Sequence, residues 1–218
     1  MEHDLPLMHY TKSPESIMAQ SMSIIEELLP LPSIPEEERR IIIRIVHATG
    51  DPELAKLVRF HPKAISSGVD AIGQGREIIT DVNLVSRRIN RKLYELFGCR
   101  VLCVIDETAV CQSARERGIT RANAGMYYLR GHLNNSIIAI GTAPTALLGL
   151  LELMEKEDIR PALIIGMPVG FVSAASSKKE LMKRDVPFIT IEGTRGGSAT
   201  ASSTINALLD IARSKYGK

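Results

Sequence analysis

From residue 77 onward, short β-branched runs alternate with glycine-bearing turns and helical patterns. The runs are residues 77–80, 100–105, 136–140, 162–165 and 188–191. The last three each pass through a glycine turn into a helix-period stretch, over 143–157, 172–184 and 198–215. Strands separated by helices pair in parallel, because a parallel partner is reached only through a crossover. The runs are apolar throughout rather than alternating, so helices must cover both faces of the sheet. The pattern predicts one α/β domain over 1–218. Residues 77–218 form its doubly wound, mainly parallel five-stranded core, and residues 1–76 form a helical N-terminal part.

That N-terminal part carries its own punctuation. Ser13-Pro14 opens a helix to Leu29, with Ile17, Ile24, Ile25 and Leu28 apolar, and Pro30 and Pro32 stop it. Ser33 and Glu36 have capping-box spacing ahead of a helix through Ile41, Ile42, Ile45 and Val46 to His47, which Gly50 ends. Asp51-Pro52-Glu53 caps a short helix, and Pro62 opens another to about Gly73.

Composition removes several function classes. The chain has 218 residues, 44% hydrophobic and 24% charged, so it can bury a full core without staples. A net charge of +2 gives no bulk field for nucleic acid or an anionic membrane. Aromatics are 4% with no Trp, too few for a single-strand stacking platform. Cys99, Cys103 and Cys111 form no CxxC pair, and the start Met-Glu-His-Asp lacks export-signal features. Both point to the cytoplasm. The uncharged stretch from Gly131 to Leu151 is broken by Asn134, Asn135, Gly141 and Pro144 and reads as strand, turn and helix, not a membrane span.

In doubly wound sheets, ligands bind at the carboxyl ends of the strands. Here those ends carry Gly141-Thr142-Ala143-Pro144-Thr145, Gly166-Met167-Pro168-Val169-Gly170 and Glu192-Gly193-Thr194-Arg195-Gly196-Gly197-Ser198. Glycine permits close backbone approach, and helix starts favour anions. Turns of this kind need glycine in any case; three in register on one edge point to a site. The anion could be a phosphate or a carboxylate. No GxxxxGK[ST] is present, and Gly73-Gln74-Gly75 lacks a third glycine and follows a helix, so nucleotide motifs fail on context.

Individual side chains admit two readings each. His47, in the last turn of its helix, is either a proton donor favoured in its charged form by the helix end or a structural histidine closing that helix. Arg121 opens a helix at Thr120-Arg121, where a cation does nothing for the helix; it is a carboxylate clamp or a solvated arginine. Lys178 points towards the strand ends or belongs to a solvated face. Asp81 at a strand end is a helix cap or a site residue, and the cap is the favoured reading. His3, His9, His61 and His132 show no metal-ligand spacing, so no metal site is expected. Cys99 and Cys103 read as packing residues. Ser198 lies in no GxSxG elbow.

Five segments in order then resemble one family. They are Ile45-Val-His-Ala-Thr-Gly50, Thr120-Arg-Ala-Asn-Ala-Gly125, Ala139-Ile-Gly-Thr-Ala-Pro-Thr-Ala-Leu147, Gly166-Met-Pro-Val-Gly-Phe-Val172 with Lys178, and Gly193-Thr-Arg-Gly-Gly-Ser198 with Asn206-Ala-Leu. Over roughly residues 15–210 the chain resembles the precorrin-8X methylmutases. The resemblance implies a flavodoxin-like three-layer α/β/α sandwich and a homodimer with sites at the interface. It implies an isomerase of cobalamin biosynthesis that moves a methyl group between adjacent ring C carbons of precorrin-8X or cobalt-precorrin-8. The product would be hydrogenobyrinic or cobyrinic acid, and no cofactor is implied. It carries the catalytic role to His47, which would protonate the macrocycle. It carries substrate contacts to Ser21, Thr120, Arg121, Gly141, Thr142, Thr145, Lys178, Gly196, Gly197 and Ser198. Two segments depart from the family pattern: Thr142 replaces an asparagine, and the chain has Ser176 and Ser177 where the family has a glutamate before Lys178. A tetrapyrrole carrier without turnover and a flavodoxin-like phosphate-ligand enzyme are the competing readings.

Overall fold

The computed structural model describes residues 13–29 and 34–218. Helix α1 (Pro14–Leu28) is capped by Ser13, whose hydroxyl accepts the Ser16 N–H at 3.3 Å. Helix α2 (Glu36–Thr49) ends where Gly50 takes the left-handed φ of 67°. Ser33, half of the expected capping box, lies outside the described residues, as do Pro30, Pro32, His3 and His9. A 3-10 turn (Pro52–Leu57) is capped by Asp51, which accepts the Glu53 N–H at 3.1 Å. It leads into strand β1 (Val58–Phe60) and helix α3 (Ala64–Gly73). Strand β2 (Ile78–Thr80) is followed by two short helices, α4 (Asn83–Ser86) and α5 (Arg91–Leu96), then strand β3 (Val101–Leu102). Helices α6 (Thr108–Arg117) and α7 (Arg121–Tyr128) lead to strand β4 (Ile137–Ile140). The rest alternates: α8 (Pro144–Lys156), β5 (Leu163–Gly166), α9 (Ala174–Met182), β6 (Phe188–Ile191) and α10 (Ser198–Tyr216).

The sheet has six strands, not the expected five, in the order β1-β6-β5-β4-β2-β3. The sixth is β1, which lies in the part expected to be helical and pairs antiparallel with β6. Three residues, Val-Arg-Phe, carry no run that a sequence could signal. The strand exists because β6 supplies its partners: His61 N–H donates to the Phe188 carbonyl and Glu192 N–H to the Leu57 carbonyl, each at 2.9 Å. The other strands are mutually parallel. Chain direction reverses across the sheet between β2, which leads outward to β3, and β4, which leads the other way to β5. The crevice at the carboxyl ends of β2 and β4 is therefore the topological switch point.

Successive strand residues face opposite sides. Ile78, Ile137, Ala139, Leu163, Ile165 and Ile189 join the core beneath α2, α3 and α10. Ile79, Ile138, Ile140, Ile164 and Phe188 join the core beneath α7, α8 and α9. Residues on both sides of position 76 share the first of these cores, so that position is not a structural boundary. Among the described residues no helix is long and apolar enough to cross a membrane. Residues 131–151 form the end of a 3-10 turn, β4 and most of α8.

Candidate active site

The switch point is built around Asp81. Its carboxylate follows β2 and is 2% exposed. It accepts the N–H groups of Gly141 at 3.0 Å and of Thr142 and Ala143 at 2.8 Å each. Asp81 is a cap, as its strand-end position suggested, but for the turn into α8 rather than for its own helix. Burial pushes its carboxyl above the ordinary aspartate range, while the three N–H donors act in the opposite direction. Those three amides point inward, so what the turn offers a ligand is the Thr142 side chain. The Thr142 hydroxyl lies 2.9 Å from that of Ser198, the first residue of α10. Gly141 is required here because a Cβ would meet the Ser198 Cα at 2.8 Å.

The other two glycine turns interlock beside it. Gly197 N–H donates to the Met167 carbonyl at 2.9 Å and Gly170 N–H to the Thr194 carbonyl at 3.0 Å. Gly196 has a φ of 154°, and a Cβ on it would meet the Met167 carbonyl oxygen at 2.3 Å. Lys178, on α9, reaches into this junction rather than lying on a solvated face. It is fully buried, and its ammonium donates to the Arg195 carbonyl at 2.6 Å. Burial lowers its pKa to about 8. The Arg195 guanidinium pairs with Asp51 at 3.0 Å, tying this turn to the segment just past the end of α2.

Two further groups flank the edge. On the α7–α8 side, Thr120 caps α7 and its hydroxyl lies 2.7 Å from that of Thr145 in the first turn of α8. Arg121 beside it is half exposed and pairs with Asp106 at 3.1 Å; Asn83 donates to the other oxygen of Asp106 at 2.6 Å. On the α10 side, His47 sits in the last turn of α2, half buried. It lines a cavity of about 180 Å³ with Arg44, Ala48, Ser203 and Asn206. Arg44 also lines a second cavity of about 220 Å³, with Met18 and Met22 of α1 on its wall. Ser21 lies between those two methionines in the helix and is half buried.

The structure thus brings Gly141, Thr142, Gly196, Gly197, Ser198 and Lys178 to one strand edge, with Thr120, Thr145 and Arg121 flanking it. His47 and Ser21 belong to the opposite side of the sheet from Arg121, as the two cores require. Arg44, Asp106 and Asn83 were missed by sequence reasoning. Arg44 had a signal, since it lies one helical turn before His47 on the same face. The Asp106 contacts join residues 23 and 15 positions apart, which no local pattern announces. The other histidines among the described residues lie elsewhere: His61 packs edge-on against Phe188, and His132 bonds Glu77 at 2.9 Å. Cys99 is buried, which pushes its thiol up to about 11.

Residues 16–211 match the family described as Precorrin-8X methylmutase. A cobalt-precorrin-8 methylmutase of Leptospira interrogans is 38% identical over 93% of this chain and 96% of its own length. A precorrin-8X methylmutase of Pseudomonas aeruginosa is 37% identical, covering 93% of this chain and 98% of its own. A solved precorrin-8X methyl mutase structure from Thermus thermophilus superposes with a TM-score of 0.85 at 34% identity, over 92% of this chain and 97% of that one. With the match running nearly end to end in both sequence and fold, the chain belongs to the precorrin-8X methylmutase family.

Proposed function

We propose that this chain binds a precorrin-8X-type corrin along its strand-end edge and shifts one methyl group between adjacent ring C carbons, as an isomerase of cobalamin biosynthesis. The observation that carries this reading is the interlocked edge itself. Three turns in register bring together the Thr142 and Ser198 hydroxyls and Arg195, with the Lys178 ammonium reaching in from α9 and Arg121 flanking on α7, the chemistry that a flat polycarboxylate needs. Thr142 and Ser198, with Thr120 and Thr145 beside them, supply neutral donors; Arg121 and Lys178 supply charge; Gly196 and Gly197 let the backbone approach.

His47 is the proton donor. It lends a proton to the macrocycle as conjugation is interrupted and recovers it when the methyl has moved, so composition is unchanged, as isomerisation requires. Ser21 and Arg44 extend the same surface. Because His47 and Arg121 lie on opposite sides of the sheet, a homodimer with shared sites is the arrangement in which both serve one ligand. The sheet supports a flavodoxin-like reading: without the antiparallel edge strand, the five parallel strands counted along the chain run 2-1-3-4-5. The chain acts as a single methylmutase domain in the cytoplasm.

The test is to incubate the protein separately with the cobalt-free and the cobalt-bearing precursor and follow the visible spectrum. Conversion of one or both to the corresponding corrinic acid is expected; no change with either refutes the reading. His47→Ala should abolish conversion while leaving precursor affinity within about threefold of the parent, the signature of a lost transition-state interaction. A His47→Ala variant that converts at the parent rate excludes His47 as the acid. Light scattering should give about twice the 23.9 kDa chain mass, and a monomer mass throughout would refute the shared site.

A further inference from the structure

The loop between β5 and α9 ends in a run of apolar side chains that the fold does not use. Val169 is 46% exposed, Phe171 96% and Val172 83%. A protein surface tolerates single exposed apolar residues, but three within four positions on one loop tip form a patch that needs a reason. The loop is also held in place. Gly170 N–H is tied to the Thr194 carbonyl at 3.0 Å, and Ser173, which closes the tip, is held at a left-handed φ of 62°. That conformation is strained for a non-glycine residue. Ser177 N–H and the Ser176 hydroxyl both donate to the Ser173 carbonyl, at 2.9 and 3.2 Å, fixing the entry to α9. Between these fixed points Phe171 stands open to solvent and is not folded back on the core.

We infer that Phe171 and Val172 form the apolar wall of the corrin site, lying against the face of the macrocycle. This rests on the corrin reading above and extends it to residues that reading does not use. The placement selects the occupant. The tip stands at the carboxyl end of β5, next to the turn that carries Arg195 and to the helix that carries Lys178. An apolar tip bordered by cationic and hydroxyl groups fits a flat ring with an apolar face and an acidic rim. The tip touches little of its own chain, so its side chains do not hold the fold.

The test is an equilibrium titration of hydrogenobyrinic acid and of cobyrinic acid, read by the visible spectrum, with the parent and with Phe171→Ala. The parent is titrated first: failure to bind either corrin overturns the corrin reading and the wall with it. If the parent binds, Phe171→Ala should weaken affinity by tenfold or more, since a phenyl group leaves a covered interface. Its thermal midpoint should match the parent, because the side chain is free in the unliganded protein. Equal affinity in the two proteins overturns the wall while leaving the corrin reading intact. Phe171→Trp adds a second readout in a chain that has no tryptophan. Emission typical of exposed indole that is quenched when corrin is added supports the wall. Emission that moves to shorter wavelength with protein concentration alone assigns the tip to a second copy of the chain and overturns it.

Discussion

Replacing Lys178 with methionine isolates the energetic role of the least usual side chain in the site. Its ammonium is fully buried and has one hydrogen-bond acceptor, the Arg195 carbonyl. Burial lowers the pKa from 10.5 to about 8. The charged form is therefore disfavoured in the fold by roughly 3 kcal/mol relative to the unfolded chain. The sign follows from proton counting. Between about pH 8 and 10.5 the unfolded chain holds the proton more tightly than the native one, so stability contributed by this group rises with pH. Below pH 8 the full penalty is present; above 10.5 it is gone. Methionine fills the same volume without the charge and gives up one hydrogen bond, at about 1–3 kcal/mol, with the carbonyl left behind. At pH 7 the two effects offset each other, so the Lys178→Met variant should lie within about 2 kcal/mol of the parent. The deciding quantity is the slope. Urea unfolding of both proteins from pH 7 to 10.5 should show the parent gaining about 3 kcal/mol on the variant. A difference that stays flat across that range would refute the buried-charge argument. If Lys178 serves the substrate as a cation, conversion of the precursor should fall in the variant below about pH 8, where the parent carries the charge, and the difference should shrink above it.

Two other substitutions probe the turns. In Asp81→Asn one oxygen can still accept from Thr142 and Ala143, but the amide nitrogen then faces the Gly141 N–H. A buried donor opposite a donor should cost about 2–3 kcal/mol, lowering Tm by roughly 4–12 °C in differential scanning calorimetry, and an unchanged Tm would show that the cap is dispensable. Gly196→Ala sets a Cβ against the Met167 carbonyl at a φ open to glycine alone. It should destabilise by about 2–4 kcal/mol in urea titration and separate the two interlocked turns, and a loss under 1 kcal/mol would contradict the close approach.

The parts of this fold that sequence could reveal are those whose cause is local. β4, β5 and β6 are continuous apolar strands bounded by glycine, and each was legible within a residue or two. The end of α2 at Gly50 was legible for the same reason, because a left-handed cap favours that residue. β1 was not, since Val58-Arg59-Phe60 owes its conformation to hydrogen bonds from β6 more than a hundred residues away. β3 shrank from an expected six-residue run to Val101–Leu102, because an edge strand extends only as far as β2 pairs with it. Helices α4, α5 and α6 had no clear apolar period, and α4 and α5 are too short to show one. The site followed the same rule. Its glycines and hydroxyls were visible as motifs, whereas Asp81's three donors lie about sixty residues away and depend on the β2–β4 pairing.

That dependence explains how this edge keeps its shape while carrying so many groups unsuited to burial. The switch point leaves the carboxyl ends of β2 and β4 without a crossover between them, so the gap must be closed by side chains. Asp81 closes it by taking the amides of the α8 turn, which frees the Thr142 hydroxyl to meet Ser198 at the start of α10. Lys178 closes the next gap through the Arg195 carbonyl, and the Arg195 side chain reaches Asp51 past the end of α2. These contacts tie the strand-end turns to the helices α2, α8, α9 and α10 around them. A displacement at any one of them is therefore felt at its neighbours, and the helix bearing His47 is coupled to the turns expected to hold the carboxylates. Proton donor and carboxylate contacts need a fixed relative geometry for a methyl shift. In this chain that geometry rests on the Asp81 and Lys178 contacts and the two glycine approaches, together with the core in which Ile41, Ile42, Ile45 and Val46 seat the His47 helix.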